Sequence, residues 1–390
     1  MSGSVALVYD DSFLAYRHAD WHPLQPRRVK LAVEEMGRSG LLDQAELVTP
    51  RLATDAELAL VHDLDYVELV RKLGHGADLG RAELVDVVRS GFAHPDNPVF
   101  ENMREASALI AGGSLQAAEL VHSGRARHAF NPAGGLHHAM RHQSSGFCVY
   151  NDVAVAAAWL REQGHRVAVV DVDVHHGDGT QAAFEEQPDV LTLSLHGKYF
   201  MPEVGHDFFP GSGGSEEAGS ALVNVPFPRY TWDEPWLKAF DAVVPERVRR
   251  FHPTVLLTQD GCDTHLLDPL ADLRCSTRIW PPVGRRFHDL GRALRRPLGG
   301  ARRRRLCRGR GSAEGLDAAL RRDDRPAATG PAPARPRELP AAGRAPGAHL
   351  ARRGPRDRGG YRAARLIRGS RTWSGRPEPA SKPTGGATQA

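Results

Sequence analysis

The run Val169 to Gly179, Val-Val-Asp-Val-Asp-Val-His-His-Gly-Asp-Gly, limits what this chain can become more than any other stretch. Four valines read as a buried strand, because β-branched side chains suit a pleated, enclosed surface. Alternate residues of a strand share a face, so Asp171, Asp173 and His175 point one way and Val170, Val172 and Val174 the other. Three polar groups therefore converge at the end of an apolar element. Carboxylate oxygens beside an imidazole nitrogen suit zinc or a similar divalent ion, and Gly177 and Gly179 let the backbone turn tightly around it. The alternative, an exposed acidic loop, sits poorly with the valines that feed it.

The surrounding pattern alternates. Val5 to Tyr9 reads as a first strand, and Arg28 to Met36 and Ala106 to Val121 as helices. Then come helix Val153 to Gln163, strand Arg166 to Val172, helix Gly179 to Phe184, strand Val190 to His196, helix Pro235 to Phe251 and strand Thr254 to Gln259. This rhythm predicts an α/β domain with a mostly parallel central sheet and helices on both faces. Ligands in such sheets bind beyond the C-terminal strand ends, which is where Asp173 and His175 fall. The strand Thr254 to Gln259 ends in a second polar cluster, Asp260 to His265, and Asp263 is assigned as the third metal ligand.

Charge divides the chain. Residues 1–284 hold 24 Lys and Arg against 39 Asp and Glu, while residues 285–390 hold 27 against 8. An acidic first part argues against nucleic acid as the ligand of the folded domain, since phosphate binding needs a basic surface. No apolar run approaches the ~20 residues needed to span a bilayer, and no leader segment is evident, so a cytoplasmic protein without a membrane partner is expected. Cys148, Cys262, Cys275 and Cys307 lack C-x-x-C spacing and are expected to be reduced. Oligomeric state leaves no mark in the sequence.

A second constellation, Asn131-Pro-Ala-Gly-Gly-Leu-His137-His138, sets two adjacent imidazoles after a Gly-Gly turn. A proton relay beside a metal needs neutral imidazoles, each with a carboxylate fixing its tautomer, and Asp171 and Asp178 are available for that task. Proline fixes two further loops, Trp21 to Arg28 and His94 to Phe100. In the latter, Asp96 either holds a substrate backbone amide at the pocket rim or makes a local Asx turn.

Together these motifs closely resemble the zinc-dependent histone deacetylase superfamily, in particular its bacterial acetoin-utilisation branch. The resemblance spans Tyr9 to about Leu290 and includes residues 132–138, Gly146-Phe147-Cys148 with Asn151-Asp152, residues 171–179, Ser194-Leu195-His196, residues 208–211 and 261–264. It implies the deacetylase/arginase type of fold and one zinc ion held by Asp173, His175 and Asp263. His138 would be the general base and then acid, His137 its electrostatic companion, and Asp178 and Asp171 would orient the two respectively. Gly146, Phe147 and Phe209 would line a narrow channel for a linear lysine side chain, and Asp171, Asp173, His175, Ser194 and Leu195 would form an internal potassium site. Leu270 stands where polyamine-selective relatives carry an acidic group, which favours acetyl-lysine on a protein over a small acetyl-amine. A catalytically silent acetyl-lysine binder, an arginase-like dimetal hydrolase and a nucleic-acid binder acting through the basic tail are the competing readings. The histidine pair counts against the second of these, and the tail's lack of interleaved aromatics against the third.

The pattern breaks after Leu290. The family carries a Gly-Gly-Gly-Gly-Tyr loop whose hydroxyl stabilises the oxyanion, a contribution of ~2.7–4 kcal/mol for such donors. Here residues 296–308 read Arg-Pro-Leu-Gly-Gly-Ala-Arg-Arg-Arg-Arg-Leu-Cys-Arg. A back-translation of Pro297 to Cys307 read one base later gives Arg-Trp-Val-Ala-Leu-Gly-Gly-Gly-Gly-Tyr-Ala, which points to a slip of reading frame near Leu290. Residues 1–290 are thus expected to form a catalytic domain lacking its last strand and covering helix, with reduced activity. Residues 291–390, rich in Arg, Gly, Ala and Pro, are expected to be a disordered tail.

Overall fold

The computed structural model describes residues 5–219 and 221–294, together with the backbone of residues 305–311. Ten strands are defined there: β1 Val5–Val8, β2 Ala45–Val48, β3 His128–Asn131, β4 Val167–Asp171, β5 Val190–Gly197, β6 Phe200–Met201, β7 His206–Asp207, β8 Leu222–Phe227, β9 Val255–Asp260 and β10 Arg305–Gly311. Eight form one sheet in the order β2-β1-β3-β10-β9-β4-β5-β8, with every neighbouring pair parallel, while β6 and β7 make a separate antiparallel pair.

Period-two alternation divides the core. Val167 and Val169 of β4 join Val255, Leu257, Ala117, Val121, Val153 and Leu160 on one face, against helices Met103–Ser123 and Asp152–Glu162. Ala168 and Val170 join Leu193, Leu256, Trp236, Phe240 and Phe287 on the other, against helices Asp233–Phe251 and Trp280–Ala293. A sheet covered on both faces explains why its strands read as continuous apolar runs. The predicted strands and helices all form, with ends displaced by a few residues as expected for frayed termini.

Two differences matter for function. Regular pairing in β4 stops at Asp171, so Asp173 and His175 lie in the loop just beyond the strand. Val172 and Val174 are still fully buried, so the in–out alternation outlasts the ladder. The second lies beyond residue 290: Arg305–Gly311 pairs with both β3 and β9, setting Arg308 against Phe130 and Thr258. Strand edges on either side offer unpaired backbone groups that almost any sequence can satisfy, a demand that side-chain periodicity does not register. Helix Trp280–Ala293 likewise runs past residue 290. The remainder of the proposed tail, 295–304 and 312–390, lies outside the described residues. Among the described residues no helix is long and apolar enough to cross a membrane.

Candidate active site and metal centre

Asp171 closes β4, and its register partners are Ser194 of β5 and Gln259 of β9, so three polar residues meet at one level where the apolar strands end. Beyond this level the loops after β4 and β9 bring Asp173, His175 and Asp263 together, with one ligand atom from each lying within 4.8 Å of the others. His175 Nδ1 lies 3.0 Å from Asp173 Oδ1 and 3.1 Å from Asp263 Oδ2. The backbone is drawn in with them: Val174 N–H donates to Asp263 Oδ1 at 2.8 Å and His175 N–H to Asp173 Oδ1 at 2.9 Å. A Cβ on Gly261 would fall 2.1 Å from Asp173 Oδ2, so only glycine lets the β9 loop close on that carboxylate.

Electrostatics at this point favour positive charge. Burial disfavours a charged His175, yet its bonds to Asp173 and Asp263 outweigh burial and push its pKa up to about 10. Burial, reinforced by the charge of Asp173, pushes the Asp263 and Asp171 carboxyls above the ordinary carboxylate range. A cation among these groups relieves both costs, and a two-carboxylate, one-imidazole set is a donor set that zinc accepts. The residues present therefore fit the expected metal.

The histidine pair stands beside it. His137 Nδ1 meets Asp171 Oδ2 at 2.6 Å, His138 Nδ1 meets Asp178 Oδ1 at 2.7 Å, and the two Nε2 atoms face each other at 3.1 Å. With each Nδ1 proton directed at a carboxylate, both Nε2 atoms are left for proton transfer. Burial first, then the neighbouring His137, lowers the His138 pKa and keeps the ring neutral. Asp178 moves down despite its burial, because His138 faces it.

Residues that are not ligands support the arrangement. Gln259 Nε2 donates to Asp173 Oδ2 at 3.0 Å and to the Gly135 carbonyl at 3.1 Å, joining the metal loop to the Gly-Gly turn. Asp152 accepts the N–H groups of Gly135 and Leu136, and Asn151 donates to the carbonyls of His137 and Ala139. The available signal was the one that flagged Asp171, a polar side chain ending an apolar strand, and Gln259 carries it too.

Phe209 lies 5.0 Å from the His138 ring and 6.3 Å from that of His175, so it flanks both halves of the site. Gly146 presses on the same place: a Cβ there would lie 2.4 Å from His138 Cδ2 and 3.0 Å from Phe209 Cε1. Phe147 follows, half-buried, with its ring edge-on to His22 at 4.6 Å. Leu270 is exposed on the loop after Asp263, seven residues beyond it. Asp96 sits half-exposed in its loop with its carboxylate 3.4 Å from His94 Nδ1, while its carbonyl faces His22 Nε2 at 3.1 Å. Ser194 and Asp171 line one small internal cavity, and Leu195 is buried next to Ser194. After Tyr230 the next tyrosine in the chain is Tyr361, outside the described residues.

A family model for the histone deacetylase domain matches residues 22–298. The acetoin utilization protein AcuC of Bacillus subtilis (strain 168) is 38% identical over 289 residues, spanning 73% of this chain and 72% of its own. AcuC of Staphylococcus aureus (strain MRSA252) is 40% identical over 277 residues, 70% of this chain and 69% of its own. Among solved structures, the crystal structure of the HDA15 HD domain aligns with a TM-score of 0.66 at 26% identity, covering 81% of this chain and 88% of that one. With the fold, the carboxylate–imidazole cluster and the paired histidines all in place, the chain belongs to the histone deacetylase family and is a deacetylase of the AcuC branch.

Proposed function

We propose that the chain is a zinc-dependent deacetylase that hydrolyses the amide of acetyl-lysine on protein substrates, giving free lysine and acetate. The convergence of Asp173, His175 and Asp263 beside the His137–Asp171 and His138–Asp178 pairs carries the reading. When bound by the three ligands, zinc supplies Lewis acidity to the acetyl carbonyl. His138, held neutral and oriented by Asp178, accepts a proton from the attacking water at Nε2 and returns it to the lysine nitrogen as the amide breaks. His137 and Asp171 hold the adjacent charge in place. Phe147 and Phe209, with Gly146 between His138 and Phe209, wall the channel for the lysine stem, and Asp96 stands at its rim. Potassium at Asp171, Asp173, His175, Ser194 and Leu195 would brace the loop behind the zinc.

Turnover is reduced in this reading because no Gly-Gly-Gly-Gly-Tyr loop occurs in the sequence. That same absence favours a second reading, a silent pocket that binds zinc and acetyl-lysine without hydrolysis. Small acetyl-amines are the alternative substrates, and Leu270, offering no negative charge to a distant ammonium, speaks for acetyl-lysine. A cytoplasmic location accords with the free thiols of Cys148, Cys262 and Cys275. Metal analysis with a peptide deacetylation assay tests the proposal: one zinc per chain and chelator-sensitive release of acetate are expected. Zinc without product would favour the silent pocket, and absence of zinc would reject both.

A further inference from the structure

Phe147 occupies a backbone conformation that its sequence does not favour. Ser145 and Cys148 exchange backbone hydrogen bonds of 3.1 and 2.8 Å around the two-residue turn Gly146-Phe147, whose φ values are +49° and +70°. Positive φ at both central positions defines the I′ type of hairpin turn, for which Asn-Gly is preferred. Gly-Phe meets the need at the first position only. An aromatic residue in the left-handed region is strained and persists only where its surroundings over-determine it.

Those surroundings come from two distant segments. The Phe147 N–H donates to Asn97 Oδ1 at 3.0 Å. Its carbonyl accepts from the Tyr16 hydroxyl at 2.7 Å and faces His18 Nε2 at 3.0 Å. Tyr16 oxygen in turn accepts the Val149 N–H at 3.1 Å, so one hydroxyl grips both sides of Cys148. Tyr16, His18 and Asn97 are all buried, and Asn97 Nδ2 reaches towards the carbonyls of Gly91 and Ser144. Every backbone polar group of Phe147 is thus held by a side chain that serves no part of the metal or proton-transfer machinery.

We propose that Tyr16, His18 and Asn97 are positioning residues: they hold the Gly146-Phe147 turn in its left-handed conformation and thereby fix Gly146 against His138 and Phe209 and Phe147 as a wall of the substrate channel. This rests on the channel assignment made above. It gives the segment just before Trp21 and the proline-fixed loop His94 to Phe100 a shared purpose, which in the latter falls to Asn97.

The test uses the full chain loaded with zinc and two probes, acetohydroxamate, which reaches the metal centre alone, and a hydroxamate on a long linear alkyl chain, which also fills the channel. Tyr16→Phe and Asn97→Leu are expected to weaken the long-chain probe about tenfold, the scale of one lost hydrogen bond to an over-determined turn, and to leave acetohydroxamate within about twofold. Tyr66→Phe is the structural control, because it deletes a comparable 2.8 Å bond to the Val149 carbonyl without touching Phe147, and it should move neither probe. Equal weakening of both probes, or a lowered melting temperature with unchanged long-chain binding, would overturn the proposal. Tyr16→Phe preserves the ring and its volume, so it carries the test if Asn97→Leu does not fold. Failure of both probes on the parent chain would instead reject the zinc-site reading beneath it.

Discussion

His137 and His138 are neighbours in sequence set in different surroundings, and the difference comes from their carboxylates. Asp171, deeply buried and crowded by Asp173, holds His137, while Asp178 holds His138 at the N-terminus of helix Asp178–Phe184. Replacing His138 with Ala should lower kcat on an acetyl-lysine peptide by about a hundred- to ten-thousandfold while zinc content, read by elemental analysis, stays at one per chain. Asp263→Ala should do the reverse at the metal: zinc falls to a small fraction of an equivalent, and the rate falls with it. A variant that kept full zinc would remove Asp263 from the ligand set. The cluster Asp173, His175 and Asp263 was legible in the sequence because each is a polar residue just past an apolar strand. Gln259 carried the same signal but has no ionisable or strong metal-ligating group, so ligand chemistry alone passed over it.

Among the elements, His62 illustrates how the loop bearing the histidine pair is anchored. Its Nε2 must accept, because the Asn151 N–H donates to it at 3.0 Å, and its Nδ1 must donate, because the Met140 carbonyl lies 3.0 Å away. One neutral tautomer therefore ties the chain after His138 to the start of helix Asp152–Glu162. Burial lowers its pKa from 6.5 to about 4. The unfolded chain binds this proton near pH 6.5 and the folded chain only near 4, so the stability is present above about 6.5 and lost as pH falls through that window. The loss amounts to about 3 kcal/mol for this group at the acid end. Buried His18 and His196, lowered to about 4 and about 3, act in the same direction. Melting temperature should fall between pH 6.5 and 4, and less steeply in His62→Gln; parallel profiles would exclude His62 as a contributor. Element types were readable here because burial on two sheet faces leaves long apolar runs. The place of β10 was not, since it depends on backbone edges presented by β3 and β9 rather than on its own side chains.

For the whole molecule, the decisive question is the segment that follows helix Trp280–Ala293. If the reading frame slips near Leu290, the native gene encodes the Gly-rich tyrosine loop, and a frame-restored chain should turn over acetyl-lysine peptide about a hundred- to a thousandfold faster than this one. It should also melt at a higher temperature, since a strand in the middle of a sheet covered on both faces favours the apolar residues that the restored frame reads. Equal rates for the two chains would refute this account of the tyrosine, and an intact frame in the DNA through codons 285–310 would refute the slip. The amino-acid sequence by itself determined the parallel α/β architecture, the carboxylate–imidazole cluster past the strand ends and the adjacent histidines, because each is written in a few consecutive residues whose spacing follows strand or helix period. Tertiary structure alone decided the contacts that hold the site in shape: Gln259 on Asp173, His62 on Asn151, and Tyr16 with Asn97 on Phe147. Tyr16 and Phe147 stand 131 residues apart, and a hydrogen bond across that separation leaves no periodicity in the chain and exists only once the sheet has brought the two loops to the same end.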